Sequence, residues 1–179
     1  MKLKNLKLVN FRSYEDIFLD FSPGINIFIG DNGSGKTNIL EAIYVLSLTK
    51  SNRIAHDLDL IKTGFNNSII TGEVLHDDYV KKYQVSIDKF SKKVYINNFQ
   101  IKKISEYISN FCITSFLPND IEIIKGSPSI RRNLLNIQLS QISKQYLSIY
   151  NEYNKLLKTR NEYLKILFNN NLADTNYLD

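Results

Sequence analysis

The sequence predicts an α/β protein whose sheet and helices are arranged around a glycine-rich loop. A short apolar run, residues 25–29, precedes glycines at 30, 33 and 35, and a helical pattern follows directly. Further runs rich in Val, Ile and Tyr alternate in polarity, which is typical of strands. The C-terminal part repeats its apolar positions at helical spacing, which indicates a long helix.

The first part of the chain is predicted to contain three strands and the helix that follows the loop. "LKLVNF", "IFLDF" and "INIFIG" are short β-branched and aromatic runs, and "SPG" marks a turn between the last two. Residues 35–49, "GKTNILEAIYVLSLT", are apolar on most helical faces. Such a helix is expected to be buried against the sheet.

The middle of the chain, residues 50–126, is predicted to add a small antiparallel sheet. "SIITGEVL", "YVKKYQVSID" and "KKVYINNFQI" are expected to be successive strands, with "HDD" and "DKFSKK" as their turns. A short helix is expected at residues 104–108 and a further buried strand at residues 111–116. The prediction is therefore two sheets: a mixed sheet around the loop helix and this smaller antiparallel one.

The C-terminal part is predicted to be one continuous helix over residues 129–168. Neither Pro nor Gly interrupts it, and its apolar residues follow a three-four spacing of the heptad kind. A helix of about 40 residues would be about 60 Å long, more than one small domain can cover. We therefore divide the chain into a first domain, residues 1–128, and an outgoing helical arm, residues 129–179.

Composition is that of a soluble globular protein with a mild basic excess. The chain has 179 residues, 43% of them hydrophobic and 23% charged, and its net charge is +5. No apolar run approaches the about 20 residues that cross a membrane, and the N-terminus lacks the apolar core of a signal peptide. The single cysteine excludes an internal disulfide framework. These features favour a cytoplasmic protein without membrane partners, and the positive charge leans towards polyanions.

The glycine-rich loop matches the phosphate-binding pattern G-x-x-x-x-G-K-[ST]. Glycines allow backbone N–H groups to approach phosphate oxygens closely, and the amides at the following helix N-terminus favour an anion. Lys36 is expected to bridge the outer phosphates of a nucleotide, and the Thr37 hydroxyl is expected to ligate Mg²⁺. The predicted nucleotide-binding residues of the loop are Gly30, Asp31, Asn32, Gly33, Ser34, Gly35, Lys36 and Thr37.

The remaining parts of an ATPase site are not evident in this sequence. Hydrolysis at such loops needs a second acidic residue for Mg²⁺ and a group that orients water, typically Asp-Glu after an apolar strand. Glu73, Asp88 and Asp120 are the candidates. A glycine precedes the first, Lys89 follows the second, and Pro118 and Asn119 interrupt the run before the third. A guanine-reading N-K-x-D run is absent as well. The sequence therefore predicts nucleotide binding by a chain that holds only the first part of an ATPase site, without turnover.

Four separated stretches of the chain carry a family resemblance. They are "LKLVNFRSYED" (6–16), "GDNGSGKTNILEAIYVLS" (30–47), "FLPNDIEIIKGSPSIRRNLLN" (116–136) and "YLSIYNEYNKLLKTRNEYLK" (146–165). Together they resemble the RecF family of bacterial DNA replication and repair proteins, which are ATPases similar to ABC and SMC proteins. The resemblance runs in order through the whole chain. It is similar to the N-terminal half of family members, which are about twice this length.

The resemblance implies an ABC-type ATPase head over residues 1–128 and the outgoing helix of a helical arm lobe over residues 129–179. It implies ATP and Mg²⁺ as cofactors, with Arg12 and Ser13 near the phosphates and Asp120 as a candidate metal or switch residue. Arg53, Arg131 and Arg132 are candidates for contact with DNA or a partner. Two basic residues at a helix N-terminus oppose the helix dipole, so an anion or an acidic surface is expected near them.

The resemblance also implies a cellular role. Family members bind single- and double-stranded DNA at gap junctions, form ATP-dependent homodimers, and act with RecO- and RecR-type mediators in recombinase loading and the SOS response. The signature run and the Asp-Glu pair lie in the half that this sequence lacks, so a fragment or split gene product without turnover is expected. Asn119 and Asn136 stand where the family usually has acidic residues, which questions any metal role there.

Two alternatives remain open at the level of sequence. One is another head of the SMC type, such as Rad50 or OLD, which would send out a much longer coiled coil. The other is a non-catalytic remnant that acts only as a binding module. ATP-independent DNA binding would favour the remnant.

Overall fold

The computed structural model describes residues 1–170 of the 179-residue chain. Its strands are β1 (Lys2–Phe11), β2 (Tyr14–Asp20), β3 (Asn67–His76), β4 (Tyr79–Asp88), β5 (Lys92–Ile96) and β6 (Phe99–Ile101). Its helices are α1 (Lys36–Leu48), α2 (Ile104–Ile108), α3 (Glu122–Lys125), α4 (Pro128–Ile142) and α5 (Lys144–Asn170). Single 3₁₀ turns cover Asp57–Leu60 and Pro118–Ile121. The part of the predicted arm beyond residue 170 lies outside the described residues.

All six strands belong to one antiparallel sheet with the order β2-β1-β3-β4-β5-β6. The prediction of two separate sheets was therefore wrong for residues 1–170, although the α/β class and the helix after the loop are correct. β1 lies next to the edge strand β2 and pairs with both β2 and β3. This pairing joins the two N-terminal strands and the four strands from the middle of the chain in one sheet.

The core lies between this sheet and α1. β3 alternates strictly between buried and less buried positions, as expected of a strand with one face on a core. Ala42, Val45 and Leu46 of α1 are fully buried against that face. The helix packs closely over Gly72, where an added Cβ would lie 2.6 Å from Cδ2 of Leu46. A side chain at this position would force the Leu46 side chain to move, and its Cβ would also lie 3.1 Å from the backbone carbonyl oxygen of Asn5.

Two predicted strands are not formed in the structure. Residues 25–29 and 111–116 have no strand assignment. Ile25, Ile27 and Ile29 are 89%, 77% and 91% exposed, whereas Phe28 packs edge-to-face on Phe21 at 6.2 Å between ring centroids. Both segments have the composition of strands, but no other segment within residues 1–170 pairs with them.

The predicted continuous helix is broken in two at Ser143. This residue has an extended backbone, with φ −128° and ψ 113°, and its Oγ accepts a hydrogen bond from the N–H of Tyr146. It therefore ends α4 and caps the N-terminus of α5. The Tyr146 hydroxyl donates to Oδ1 of Asn136 at 2.6 Å, which ties the two helices together. α4 and α5 pack against each other rather than forming one rod.

Membrane spanning is not supported by these helices: among residues 1–170, none combines the length and apolar character that a bilayer crossing requires.

Candidate functional site

The glycine-rich loop lies between the extended segment 25–29 and the N-terminus of α1. Gly30, Gly33 and Gly35 have φ values of +155°, +85° and +96°. Residues that carry a side chain rarely adopt this region of backbone conformation. Gly35 immediately precedes α1, and no side chain of the described residues caps that N-terminus. A loop with this backbone, opening into uncapped helix amides, fits an anion such as a nucleotide phosphate.

Lys36 folds back over the loop. Its Nζ donates to the carbonyl oxygens of Gly30 at 2.7 Å and Asp31 at 2.6 Å, and lies 3.4 Å from Oγ of Ser34. None of the ion pairs formed within residues 1–170 involves this ammonium. Its positive charge is therefore held at the loop by neutral carbonyls, where a phosphate could compete for it.

The turn after β1 packs directly against the loop. An added Cβ on Gly35 would lie 2.5 Å from the Tyr14 hydroxyl oxygen and 3.2 Å from Oγ of Ser13. Ser13 also accepts a hydrogen bond from Nδ2 of Asn38 on α1 at 3.1 Å. The structure thus brings Ser13 next to Gly35, although the two are 22 residues apart in sequence.

Beneath the loop, a buried carboxylate joins the two arginines that the sequence singled out. Glu41 lies one helical turn after Thr37, and its side chain is fully buried. Arg12 donates to it through Nε at 3.0 Å and Nη2 at 2.8 Å, in a bidentate pair. Arg53 donates through Nη1 at 3.0 Å, and the Ser51 hydroxyl at 2.5 Å. We refer to Glu41, Arg12, Arg53 and Ser51 as the Glu41 cluster.

The electrostatics of the Glu41 cluster favour the ionised carboxylate. Burial by itself would raise the pKa of Glu41, but the hydrogen bonds from Arg12 and Ser51 and the charges of Arg12 and Arg53 outweigh it and hold the pKa below its usual value. Glu41 is therefore charged at neutral pH. One carboxylate faces two guanidinium groups, so the cluster keeps a net positive charge beside the loop.

Thr37 and Asp120, the predicted metal ligands, line different cavities of the described residues. Thr37 is exposed and lines a cavity of about 370 Å³ that also contacts Glu41, Tyr44 and Arg53. Asp120 is not among the residues that line this cavity, and its Oδ2 accepts a hydrogen bond from the N–H of Leu117 at 2.6 Å. Within residues 1–170 there is no group of three His, Cys, Asp or Glu side chains that could hold a metal ion. The Mg²⁺ roles of Thr37 and Asp120 stay predictions.

The other basic candidates have different surroundings. Arg131 donates from Nη1 to the carbonyl oxygens of Ile123 and Gly126, both at 3.1 Å. These carbonyls belong to α3 and its C-terminal end, which favours a cation. Arg131 therefore has protein partners for its charge, although both Arg131 and Arg132 are exposed on α4. The role of both in DNA contact stays a prediction.

Sequence reasoning missed Glu41, Ser51 and the linking role of Asn38. Asn38 donates to Ser13 and accepts from Nη1 of Arg53 at 3.1 Å, so it connects the Glu41 cluster to the turn after β1. A signal for Glu41 was present, because it is the one charged residue inside an otherwise apolar helix between residues 38 and 48. A charge in a buried helix requires a partner, and arginines were the available cations.

The loop, the uncapped helix and the packed turn fit a phosphate-binding fold, and the family comparison gives its class. The family model of the AAA ATPase domain matches residues 1–178. The chain belongs to this family.

Within this class, the chain is similar to the DNA replication and repair protein RecF, as the motifs predicted. It is 37% identical to RecF of Listeria welshimeri over 179 residues, covering 100% of the chain and 48% of that protein. It is 42% identical to RecF of Oenococcus oeni over 181 residues, covering 99% and 48%. The chain therefore spans about half the length of the curated relatives it matches.

Solved structures support the same assignment. A structure of the recombination mediator protein RecF with ATP, from the RecFOR pathway, has a TM-score of 0.87 and 36% identity, covering 93% of this chain and 45% of that one. The SMC head domain from Thermotoga maritima has a TM-score of 0.53 at 21% identity, covering 63% and 43%. The latter shows a shared fold only. The predicted fold class and the RecF resemblance are confirmed.

Proposed function

We propose that this chain binds ATP, with Mg²⁺, at the loop of residues 30–37, and that it does so as part of a RecF-type protein of DNA replication and repair. The observation that carries the proposal is the loop itself: three glycines with positive φ lead into an uncapped helix, and the Lys36 ammonium lies against them without an ion-pair partner among residues 1–170. The similarity to a RecF–ATP structure supports the choice of nucleotide.

The cellular side of the proposal follows the relatives. We place the protein in the cytoplasm, binding DNA at junctions between single- and double-stranded regions, as an ATP-dependent homodimer in its full-length form. RecO- and RecR-type mediators would be its partners in loading the recombinase on gapped DNA and in supporting the SOS response. The support is the naming of the relatives as replication and repair proteins of the RecFOR pathway.

The test of the nucleotide site is Lys36→Ala. We expect the variant to lose at least about 100-fold in ATP affinity, because two charge-assisted hydrogen bonds of about 1.5 kcal/mol each would be lost. Lys89→Ala removes the same charge from an exposed turn and serves as the matched control. Affinity is measured with a fluorescent ATP analogue displaced by ATP. Equal ATP affinities for Lys36→Ala and wild type would contradict the proposal.

Two further measurements test the rest of the proposal. The chain holds no Asp-Glu pair, so we expect ATP binding without steady hydrolysis. Lys36-dependent turnover by the 179-residue chain would contradict this part. Filter binding to gapped DNA with and without ATP tests the DNA role. ATP-independent retention would favour a binding remnant, and loss of affinity with rising salt is expected in either case.

A further inference from the structure

The Glu41 carboxylate uses its full hydrogen-bonding capacity. Its Oε1 accepts from Nη2 of Arg12 and from the Ser51 hydroxyl, and its Oε2 accepts from Nε of Arg12 and Nη1 of Arg53. An ionised carboxylate offers about four lone-pair sites, so this group is saturated. Its geometry is consequently fixed from several directions, and it fixes the groups that donate to it.

The cluster assembles three segments that are separate in the chain. Arg12 follows β1, Glu41 is on α1, and Ser51 and Arg53 lie beyond the end of α1. Ser51 also accepts from the N–H of Arg53 at 2.9 Å, which fixes the backbone that carries the second arginine. Glu41 is therefore the common point of a small network immediately beneath the phosphate loop.

The backbone of Arg12 is itself held in an unfavourable conformation. Its φ is +54°, which L-residues other than glycine, asparagine and aspartate rarely adopt. The N–H of Arg12 donates to the carbonyl of Leu60 at 2.9 Å, and its Nη1 donates to the carbonyl of Asp59 at 3.0 Å. Strain of this kind persists where surrounding contacts over-determine it, which is typical of functional positions.

A structural ion pair explains one arginine but not two. The bidentate pair with Arg12 already neutralises Glu41. Arg53 nevertheless donates to Oε2, the oxygen that also accepts from Nε of Arg12. The side chains of Arg12 and Arg53 are 20% and 38% exposed, whereas that of Glu41 is fully buried. The excess positive charge therefore lies on the solvent side of the cluster, next to Ser13, Asn38 and the loop.

We propose that Glu41 is a positioning residue that holds the guanidinium groups of Arg12 and Arg53 beside the phosphate loop, ready for the phosphates of a bound nucleotide. This inference rests on the proposed function, since it takes ATP as the ligand. The hydrogen bonds within the described residues use three of the five N–H donors of Arg12 and two of those of Arg53. The remaining donors are those that can bind phosphate oxygens.

The first test compares Glu41→Gln with Glu73→Gln. The control also removes a carboxylate charge, one that accepts from Nδ2 of Asn5 on the sheet at 2.8 Å. We expect Glu41→Gln to weaken ATP binding about tenfold, the loss of roughly one charge-assisted hydrogen bond, and Glu73→Gln to leave it unchanged. Thermal unfolding is followed in parallel, since both variants can lose stability.

A double-mutant cycle separates positioning from stability. In an Arg12→Ala, Arg53→Ala background, Glu41→Gln is expected to leave ATP binding without further loss, because the groups it positions are gone. It is expected to raise the melting temperature there, because a buried carboxylate that has lost its cations is destabilising. A purely structural Glu41 would instead change ATP affinity by the same factor in both backgrounds, or in neither. Either of those results would overturn the inference.

Arg12→Lys covers the case in which Glu41→Gln does not fold. Lysine keeps the charge but cannot span both carboxylate oxygens, so it is expected to lose nearly as much ATP affinity as Arg12→Ala. Wild-type affinity in Arg12→Lys would overturn the inference. If the wild-type chain itself does not bind ATP, the proposed function fails as well. If it binds and the Glu41 and Arg12 variants bind equally well, only the inference fails.

Discussion

Placing a methyl group on Gly35 tests how tightly the turn after β1 is packed against the phosphate loop. The φ of this residue is +96°, and an added Cβ would lie 2.5 Å from the Tyr14 hydroxyl oxygen and 2.8 Å from its Cζ. Contacts shorter than 3.0 Å at a Cβ are not tolerated, so the tyrosine ring or the loop must move. Gly35→Ala therefore combines backbone strain with overpacking.

Two other glycines separate these contributions. Gly33 and Gly64 have φ values of +85° and +91°, and an added Cβ would meet no atom within 4 Å at either position. Alanine there should cost only the left-handed backbone penalty of about 1–2 kcal/mol. Overpacking adds about 1–3 kcal/mol, so we expect Gly35→Ala to cost about 2–5 kcal/mol of unfolding free energy.

The assay is urea unfolding without nucleotide, which keeps ligand effects out of the comparison. Removing the ring should relieve the clash, so Gly35→Ala is expected to cost less in a Tyr14→Ala background than in wild type. Equal costs at Gly33 and Gly35 would refute the packing argument. An unchanged cost of Gly35→Ala in the Tyr14→Ala background would refute the assignment of the clash to that ring.

Two further predictions concern the packing of the helices and the response to acid. Gln141 on α4 is buried and binds both backbone groups of Ile113, accepting from its N–H at 2.8 Å and donating to its carbonyl at 3.1 Å. Gln141→Ala should cost about 1–3 kcal/mol in urea unfolding, and an equal cost for Gln138→Ala on the same helix would contradict this. The lowered pKa of Glu41 means that its stabilisation is complete above its ordinary value of about 4.5 and is lost as the pH falls through the lowered pKa. Glu41→Gln should therefore show a shallower loss of stability below that pH, and parallel curves for the two proteins would contradict it.

Local patterns predicted the elements that depend on local chemistry. The loop, α1, α2 and the strands β3 and β4 are where the sequence placed them. The hairpin between β5 and β6 was missed, although Asn97 and Asn98 carry its signal. Their φ values are +50° and +68°, the conformation that a two-residue type I′ turn requires and that asparagine tolerates.

The break in the long helix was also within reach of local chemistry. Apolar spacing continues past Ser143, so periodicity alone favoured one rod. Serine is among the preferred N-cap residues, and here its hydroxyl accepts from the N–H of Tyr146. The apolar spacing favours one continuous helix, whereas the cap at Ser143 favours a new helix start. The break is the arrangement that allows α4 to pack on α5.

The two predicted strands that do not form, residues 25–29 and 111–116, have sequence patterns that are typical of strands. Residues 25–29 alternate isoleucine with Asn26 and Phe28, which is a correct strand pattern, but a strand also needs neighbours for its backbone groups. Residues 111–116 meet that need partly through the side chain of Gln141, which binds Ile113 as a strand partner would. The pattern of a segment indicates its own backbone preference. Whether it forms a strand also depends on another segment of the chain that can pair with its backbone groups.

The candidate site shows the same division between local and distant information. The loop could be predicted because its residues are adjacent and each has its own reason to be there. Arg12 and Arg53 were singled out separately, but their common partner, Glu41, is visible only when the turn after β1 and the segment after α1 are brought together. A buried carboxylate in an apolar helix predicts that some cation must meet it. Which cations do so is decided by the pairing of β1 with β3 and by the packing of α1 on that sheet, and these contacts place both arginines beside the loop.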